Sequence, residues 1–308
     1  MGSEAISPRI RPVVVGVDGS RSTTATIDLA VTEAIRHGVP LRIVHVWPGR
    51  YTGVFRGRTA VPTPADAKRL LEVTARRAEL AAPDLPVTTE LRTGGAANVL
   101  AQCSQEAELL VVGHRDNPFT RPSWGSTAAY LAHHSASPLM VNRGIAHDGP
   151  VVVASSARRS GSATLGYAFA EAALRGARLV AVHMWARPGG VDGAVPVIRA
   201  GGFAGERAEA GERLRAALEP WSGQFPDVEV EQLLVSDLDL PYTIERASVR
   251  SRLLVAGIGQ TGRFSELLYG GVGPAPVGLR SPTSPALLVP AGWPIGQRVS
   301  TGASTSWT

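Results

Sequence analysis

The sequence predicts an α/β protein made of two tandem doubly wound domains, each built on a five-stranded parallel sheet. Three observations carry this expectation. The chain repeats itself at an offset of 138 residues. Within each copy, short β-branched runs alternate with stretches of helical spacing, the pattern of a parallel sheet covered on both faces. The length of 308 residues suits two domains of ordinary size.

The repeat comes first. RPVVVGVDGSRSTTATIDLAVTEAIRHGVPLRIVHVW (11–47) is answered by GPVVVASSARRSGSATLGYAFAEAALRGARLVAVHMW (149–185). The matches include Val13/Val151, Val14/Val152, Val15/Val153, Ser22/Ser160, Glu33/Glu171, Gly38/Gly176, His45/His183 and Trp47/Trp185. Farther along the register drifts. ELLVVG (108–113) answers RLLVAG (252–257), and SPLMV (137–141) answers SPALLV (284–289), so the second copy carries loop insertions. The period is far longer than a solenoid repeat. The expected division is a first domain over 11–146 and a second over 147–291. Residues 1–10 and the polar, aperiodic 292–308 are expected to be disordered.

Each element of the first copy has a local reason. VVVGV is a β-branched run followed by turn residues, as in a strand buried on both faces. Residues 22–37 place Ile27, Ala30, Val31, Ala34 and Ile35 at helical spacing, and Gly38 suits a helix C-terminus. LRIVHVW is the second strand. A loop holding Pro48, Pro62 and Pro64 leads into a helix over about 65–82. PVTTEL alternates as strand three, 96–106 reads as the third helix, and ELLVVG is strand four. A polar loop rich in Arg, Pro and Asn follows. Gly125-Ser126 then opens a fourth helix, and PLMVNR closes the copy. The expected strand order is 3-2-1-4-5. Residues 138–143 and 285–290 are apolar edge strands in that order, and they are expected to pair between the domains.

Composition excludes several classes. No run of about 18 uncharged apolar residues exists, so no membrane partner is expected. The stretch MGSEAISPRI lacks the apolar core of a secretory signal, and Cys103 is the only cysteine. Both features predict a cytoplasmic protein, with Cys103 as a small buried helix residue. The net charge of +5 comes from interspersed side chains, 31 basic and 26 acidic, without a basic block, so no nucleic acid is expected.

A ligand in this class of sheet sits at the carboxyl ends of the strands where the order reverses, here between strands one and four. Strand one ends in Gly16-Val17-Asp18-Gly19-Ser20, and strand four ends at Gly113. Asp18 either caps the first helix or hydrogen-bonds a sugar hydroxyl. The loop from Gly113 to Gly125-Ser126 either wraps an anion at a helix start or is an ordinary connection with an ordinary cap.

VVVGVDGS, RIVHVW, TELRTGGAANVLAQCSQEAELLVVG and GSTAAYLAHHSASPLMV together resemble the universal stress protein family, in its tandem-domain form with a Rossmann-like fold. The resemblance spans 11–143 strongly and 149–290 more weakly. The family's nucleotide pattern is Gly-x2-Gly-x9-Gly-Ser/Thr. Gly113 matches its start and Gly125-Ser126 its end, while Asp116 stands at the second glycine and the loop is one residue short. The resemblance implies ATP, with or without magnesium, as the ligand. It places Gly16, Val17, Asp18 and Val46 on the adenosine and Gly113, Arg115, Gly125, Ser126 and Thr127 on the phosphates, with Asp116 in the same loop. A carboxylate at Asp116 disfavours a triphosphate, and Arg115 and Arg121 offset it.

The second copy has lost parts of this set. Ser156 replaces Asp18, Ala154 replaces Gly16, Gln260 takes the second glycine position, and Gly270-Gly271 replaces Gly-Ser. GIGQTG follows a fourth strand rather than a first, so it is a weak dinucleotide signal. His45 and His183 recur at one strand position, which favours a structural role, and His133-His134 suit a helix end. No metal motif, nucleophile elbow or carboxylate pair is present. The expected function is a non-enzymatic, adenine-nucleotide-binding regulator of the stress response, a homodimer with a regulatory partner. The alternatives are a scaffold that binds protein partners without nucleotide and a slow ATP hydrolase.

Overall fold

The structure, a computed structural model, describes residues 10–47, 63–114, 126–144, 147–155, 162–185, 202–236, 243, 246, 250–258 and 284–294. The chain divides into two compact units, Met1–Asn142 and Arg143–Thr308.

The first unit runs β1 (Val13–Val17), α1 (Thr23–His37), β2 (Leu41–Trp47), α2 (Pro64–Ala81), β3 (Val87–Thr93), α3 (Ala96–Ser104), β4 (Leu109–Gly113), α4 (Ser126–His134) and β5 (Leu139–Asn142). Its strands lie in the order β3-β2-β1-β4-β5, all pairs parallel. Val13, Val14 and Val15 are completely buried because β1 has a strand on either side and helices on both faces. The second unit contains β6 (Val151–Ser155), α5 (Ser162–Leu174), β7 (Leu179–Trp185), α6 (Gly202–Gln224), β8 (Val230–Ser236), β9 (Leu253–Ile258) and β10 (Ala286–Pro290). Its order β8-β7-β6-β9-β10 is the same 3-2-1-4-5 arrangement, again parallel. No described helix is long and apolar enough to cross a membrane.

Repeated residues make repeated local structure. Gly38 takes φ 62° after α1, its N–H bonds Ile35 O, and Val39 N–H bonds Ala34 O. Gly176 takes φ 55° after α5, with the same bonds from Gly176 to Ala173 and from Ala177 to Ala172. These are Schellman closures, and both glycines serve the left-handed angle alone, since a Cβ at either would meet open space. Glu33 and Glu171 are both buried in their helices. Glu33 pairs with Arg36 and lies 3.7 Å from His37, and Glu171 pairs with Arg175, so a buried carboxylate has a cationic partner in each copy.

One feature sharpens the sequence reading and one departs from it. The helix expected from about 65 starts at Pro64 because Thr63 and Asp66 form a reciprocal capping box: Thr63 N–H donates to Asp66 Oδ2 at 2.8 Å, and Asp66 N–H donates to Thr63 Oγ1 at 3.2 Å. Trp293, assigned to the tail, is buried and its backbone N–H donates to Pro290 O at 3.1 Å, so the ordered chain continues past 292. Residues 1–9, 48–62 and 295–308 lie outside the described residues.

Candidate functional site

The crevice forms where the strand order predicts it. At the carboxyl ends of β1 and β4, Gly16 stands in register with Val112 on one side and Val44 on the other. α1 and α2 pack on one face of the sheet, and α3 and α4 pack together on the other. The cavity between the strand ends and these helices has a volume of about 170 Å³. Of the ten residues expected at the site, Gly16, Val17, Asp18, Val46, Gly113 and Thr127 line it. Ser126 begins α4 beside them, whereas Arg115, Asp116 and Gly125 lie outside the described residues.

One side of the crevice is apolar, formed by Val44, Val46, Ala96 and Leu100. The other is polar, formed by the start of α1 through Ser22, Thr23 and Thr26. Asp18 is the only charged side chain among the described residues that line the crevice. It does not cap α1. The N-cap is Ser22, which has helical backbone angles and no side-chain capping bond. Asp18 Oδ1 instead accepts the Ser20 N–H at 2.9 Å, closing an Asx turn, with the Thr23 hydroxyl 3.4 Å away. The turn holds the carboxylate at the rim. His45, in register with Val17 on the neighbouring strand, fixes the same strand end: its Nδ1 lies 2.8 Å from Val17 O. A carbonyl only accepts, so Nδ1 carries the proton, and the repeated histidine has a structural role here.

Three helices begin at the crevice, represented in its lining by Thr23 of α1, Ala96 of α3 and Thr127 of α4. None has an acidic residue in its first turn. α2, which does not line the crevice, carries Asp66 there. Three helix starts without acids leave a field that favours an anion.

Gly113 has a reason that its sequence motif did not reveal. A Cβ there would lie 2.8 Å from both Ser22 Oγ and Thr26 Oγ1. Thr26 is held in place: its hydroxyl donates to Ser22 O at 2.8 Å and accepts from Asn142 Nδ2 at 3.4 Å. In the second unit a Cβ on Gly257 would lie 2.6 Å from Thr164 Oγ1. Thr26 and Thr164 are themselves one repeat apart, a pairing that could have revealed this contact from the sequence. The strand-four glycine therefore admits the first helix in both units, whatever else it admits in the first.

The remaining candidates are structural. His134 stacks on Tyr130 with ring centroids 3.9 Å apart, and its Nδ1 lies 2.8 Å from Tyr130 O. Cys103 is buried on α3, and burial pushes its thiol above the ordinary range against the pull of Arg92. Ser156, Gln260 and Gly270-Gly271 lie outside the described residues.

Fold and crevice together define a doubly wound α/β domain with an open crevice at its strand ends. A profile of the universal stress protein family matches residues 9–143. A universal stress protein of Mycobacterium tuberculosis is 31% identical over 234 residues, covering 73% of this chain and 80% of the relative. One from Mycolicibacterium smegmatis is 28% identical over 298 residues, covering 90% and 96%. The crystal structure of a universal stress protein from Archaeoglobus fulgidus superposes with a TM-score of 0.62 at 15% identity, covering 91% of this chain and 96% of that one. The chain belongs to the universal stress protein family, a family of non-catalytic stress-response proteins.

Proposed function

We propose that the first unit binds an adenine nucleotide, ATP with or without magnesium, and that the protein works as a cytoplasmic homodimer reporting nucleotide state to a regulatory partner. The observation that carries this reading is the meeting of three acid-free helix starts at a crevice with one apolar wall and one carboxylate. A base fits against Val44, Val46, Ala96 and Leu100, Asp18 suits a sugar hydroxyl, and the helix starts suit phosphates. The family resemblance of the Gly113 to Ser126 segment supports the same ligand. Binding rather than turnover is the role, and it belongs to the first unit, because Ser156 stands where the first copy has Asp18.

Mass analysis of small molecules released from the purified, denatured protein tests the ligand, with ATP or another adenine nucleotide as the expected result. Calorimetric titration tests the asymmetry, with one site per chain expected. No nucleotide released and no heat of binding would favour the scaffold reading, and two equivalent sites would refute the asymmetry.

A further inference from the structure

The bond from Asn142 to Thr26 has no counterpart in the second unit. Asn142 ends β5 in register with Gly113, and Val289 of β10 stands in register with Gly257, so the two residues occupy one place in the fold. The glycine recurs, and so does the threonine beside it, Thr26 in one unit and Thr164 in the other. The third member does not. Val289 is completely buried, so a strand in this place packs with an apolar side chain. Asn142 is only 7% exposed. Burying an amide is unfavourable unless hydrogen bonds replace the water it gives up. Among the described residues the Asn142 side chain makes one, from Nδ2 to Thr26 Oγ1 at 3.4 Å. The second unit shows that the fold does not need this amide.

The amide bears instead on the crevice. The Thr26 hydroxyl, which accepts from Asn142, donates its own proton to Ser22 O at 2.8 Å. Ser22 Oγ lies 3.0 Å from Ser20 Oγ, and the Ser20 N–H donates to Asp18 Oδ1 at 2.9 Å. A chain of hydrogen bonds and adjoining residues thus runs from Asn142 along the polar wall to the carboxylate at the rim. The backbone of Asn142 also accepts the His114 N–H at 2.9 Å, where the chain leaves β4 toward Ser126. One residue therefore holds both the start of α1 and the start of that segment. Thr26, Ser22 and Asp18 line the crevice, and Asn142 stands behind them.

We propose that Asn142 is a positioning residue for the phosphates of the bound nucleotide, acting through Thr26 to hold the first turn of α1 beside the Gly113 strand end. The proposal rests on the nucleotide reading of the crevice and adds to it a residue outside the cavity. With an N–H donated to its oxygen, the Thr26 hydroxyl turns its proton to the carbonyl of the helix N-cap. The two bonds fix the helix start before any ligand arrives, so less ordering is needed on binding. The apolar wall of Val44, Val46 and Leu100 takes no part in this chain, so the effect falls on the phosphates and not on the base.

Calorimetric titration with ATP and with adenosine reads that split. Asn142→Val installs the residue of the second unit. It is expected to weaken ATP binding about threefold to tenfold, the size of one hydrogen bond, and to leave adenosine within about twofold of the unaltered chain. Its melting temperature is expected to hold or rise. Thr26→Val breaks the same bond from α1 without touching β5 and is also expected to weaken ATP binding. Adding Asn142→Val to Thr26→Val should then weaken it no further, because the amide has nothing left to act through. Unchanged ATP affinity in Asn142→Val, equal losses for ATP and adenosine, additive losses in the double variant, or a lowered melting temperature in Asn142→Val each overturns the proposal. An unaltered chain that binds neither ligand overturns the nucleotide reading itself, and the proposal with it.

Discussion

Gly113→Ala and Gly257→Ala are the same perturbation made in two units with different expected roles. Neither glycine has a positive φ, so the backbone itself accepts alanine. The obstacle is space. The new Cβ at 113 would lie 2.8 Å from Ser22 Oγ and Thr26 Oγ1, and at 257 it would lie 2.6 Å from Thr164 Oγ1. Ordinary carbon–oxygen contact needs several tenths of an ångström more. Thr26 is buried and hydrogen-bonded to Ser22 O, so the helix start must move with it. Overpacking of this kind costs about 1–3 kcal/mol. In a unit of this size each kcal/mol lowers the melting temperature by roughly 2–4 °C.

Calorimetric melting, paired with ATP titration of each variant, separates the two roles. Both alanines are expected to destabilise by similar amounts, and only Gly113→Ala is expected to weaken ATP binding. Adding Thr26→Ala to Gly113→Ala should restore part of the lost stability, a coupling of about 0.5–3 kcal/mol between touching residues. Gly113→Ala with unchanged stability and lost binding would show that the glycine serves the ligand alone. Loss of ATP binding in Gly257→Ala would refute the assignment of the site to the first unit.

Three further outcomes follow from single residues. Gly38→Ala should cost about 1–2 kcal/mol, since the space is open and only the left-handed angle penalises the side chain, and chemical denaturation should show Gly38→Asn losing less. The Thr63 N–H and hydroxyl hold the Asp66 carboxyl below its ordinary value of 3.8, so its contribution to α2 is present at neutral pH and is lost as pH falls through that lowered value; a carboxyl-resolved NMR titration should find its midpoint below 3.8, and Thr63→Ala, which removes the hydroxyl but keeps the N–H, should raise it only part of the way back. Asp116→Gly should tighten ATP binding by roughly 1 kcal/mol, measured by titration, because it removes a like charge from the phosphate loop; weaker binding would give Asp116 a positive role, such as holding a cation.

The fold was legible because burial writes itself into sequence period. VVVGV and LLVVG are apolar throughout, since strands at the sheet centre have no solvent face, and the offset of 138 doubled the evidence for every element. The crevice followed from topology, as six of its expected residues line one cavity. What stayed hidden depended on atoms rather than period. Asp18 looked like a cap because capping residues and Asx-turn residues are the same types, and which role wins depends on where the helix starts. The Thr63–Asp66 box was missed because aspartate replaces the usual glutamate at its third position.

Comparison of the two copies separates packing from ligand chemistry, and Gly16 is where the separation is sharpest. The strand-four glycine, its threonine, the Schellman glycine and the buried glutamate occur in both units, so they belong to the fold. Gly16 does not recur. Its counterpart is Ala154, buried within β6, so a strand in this position accepts a Cβ. In the first unit a Cβ at 16 would lie 2.8 Å from Leu100 Cδ1 and 3.2 Å from Cδ2. Those are the flexible ends of a side chain that lines the crevice. Leu100 can yield by rotating, at a cost of about 0.5–1.5 kcal/mol for an off-rotamer side chain. Its displaced methyls then occupy the space where the base would stack. Gly16→Ala is therefore expected to lower ATP affinity by about tenfold or more while moving the melting temperature by only a few degrees. Shortening the obstructing residue in the double variant Gly16→Ala/Leu100→Val should recover most of the affinity. Titration of the single and double variants decides the matter. Unchanged affinity in Gly16→Ala would mean that no ligand group rests on Leu100, and the placement of the base on the apolar wall would have to be abandoned.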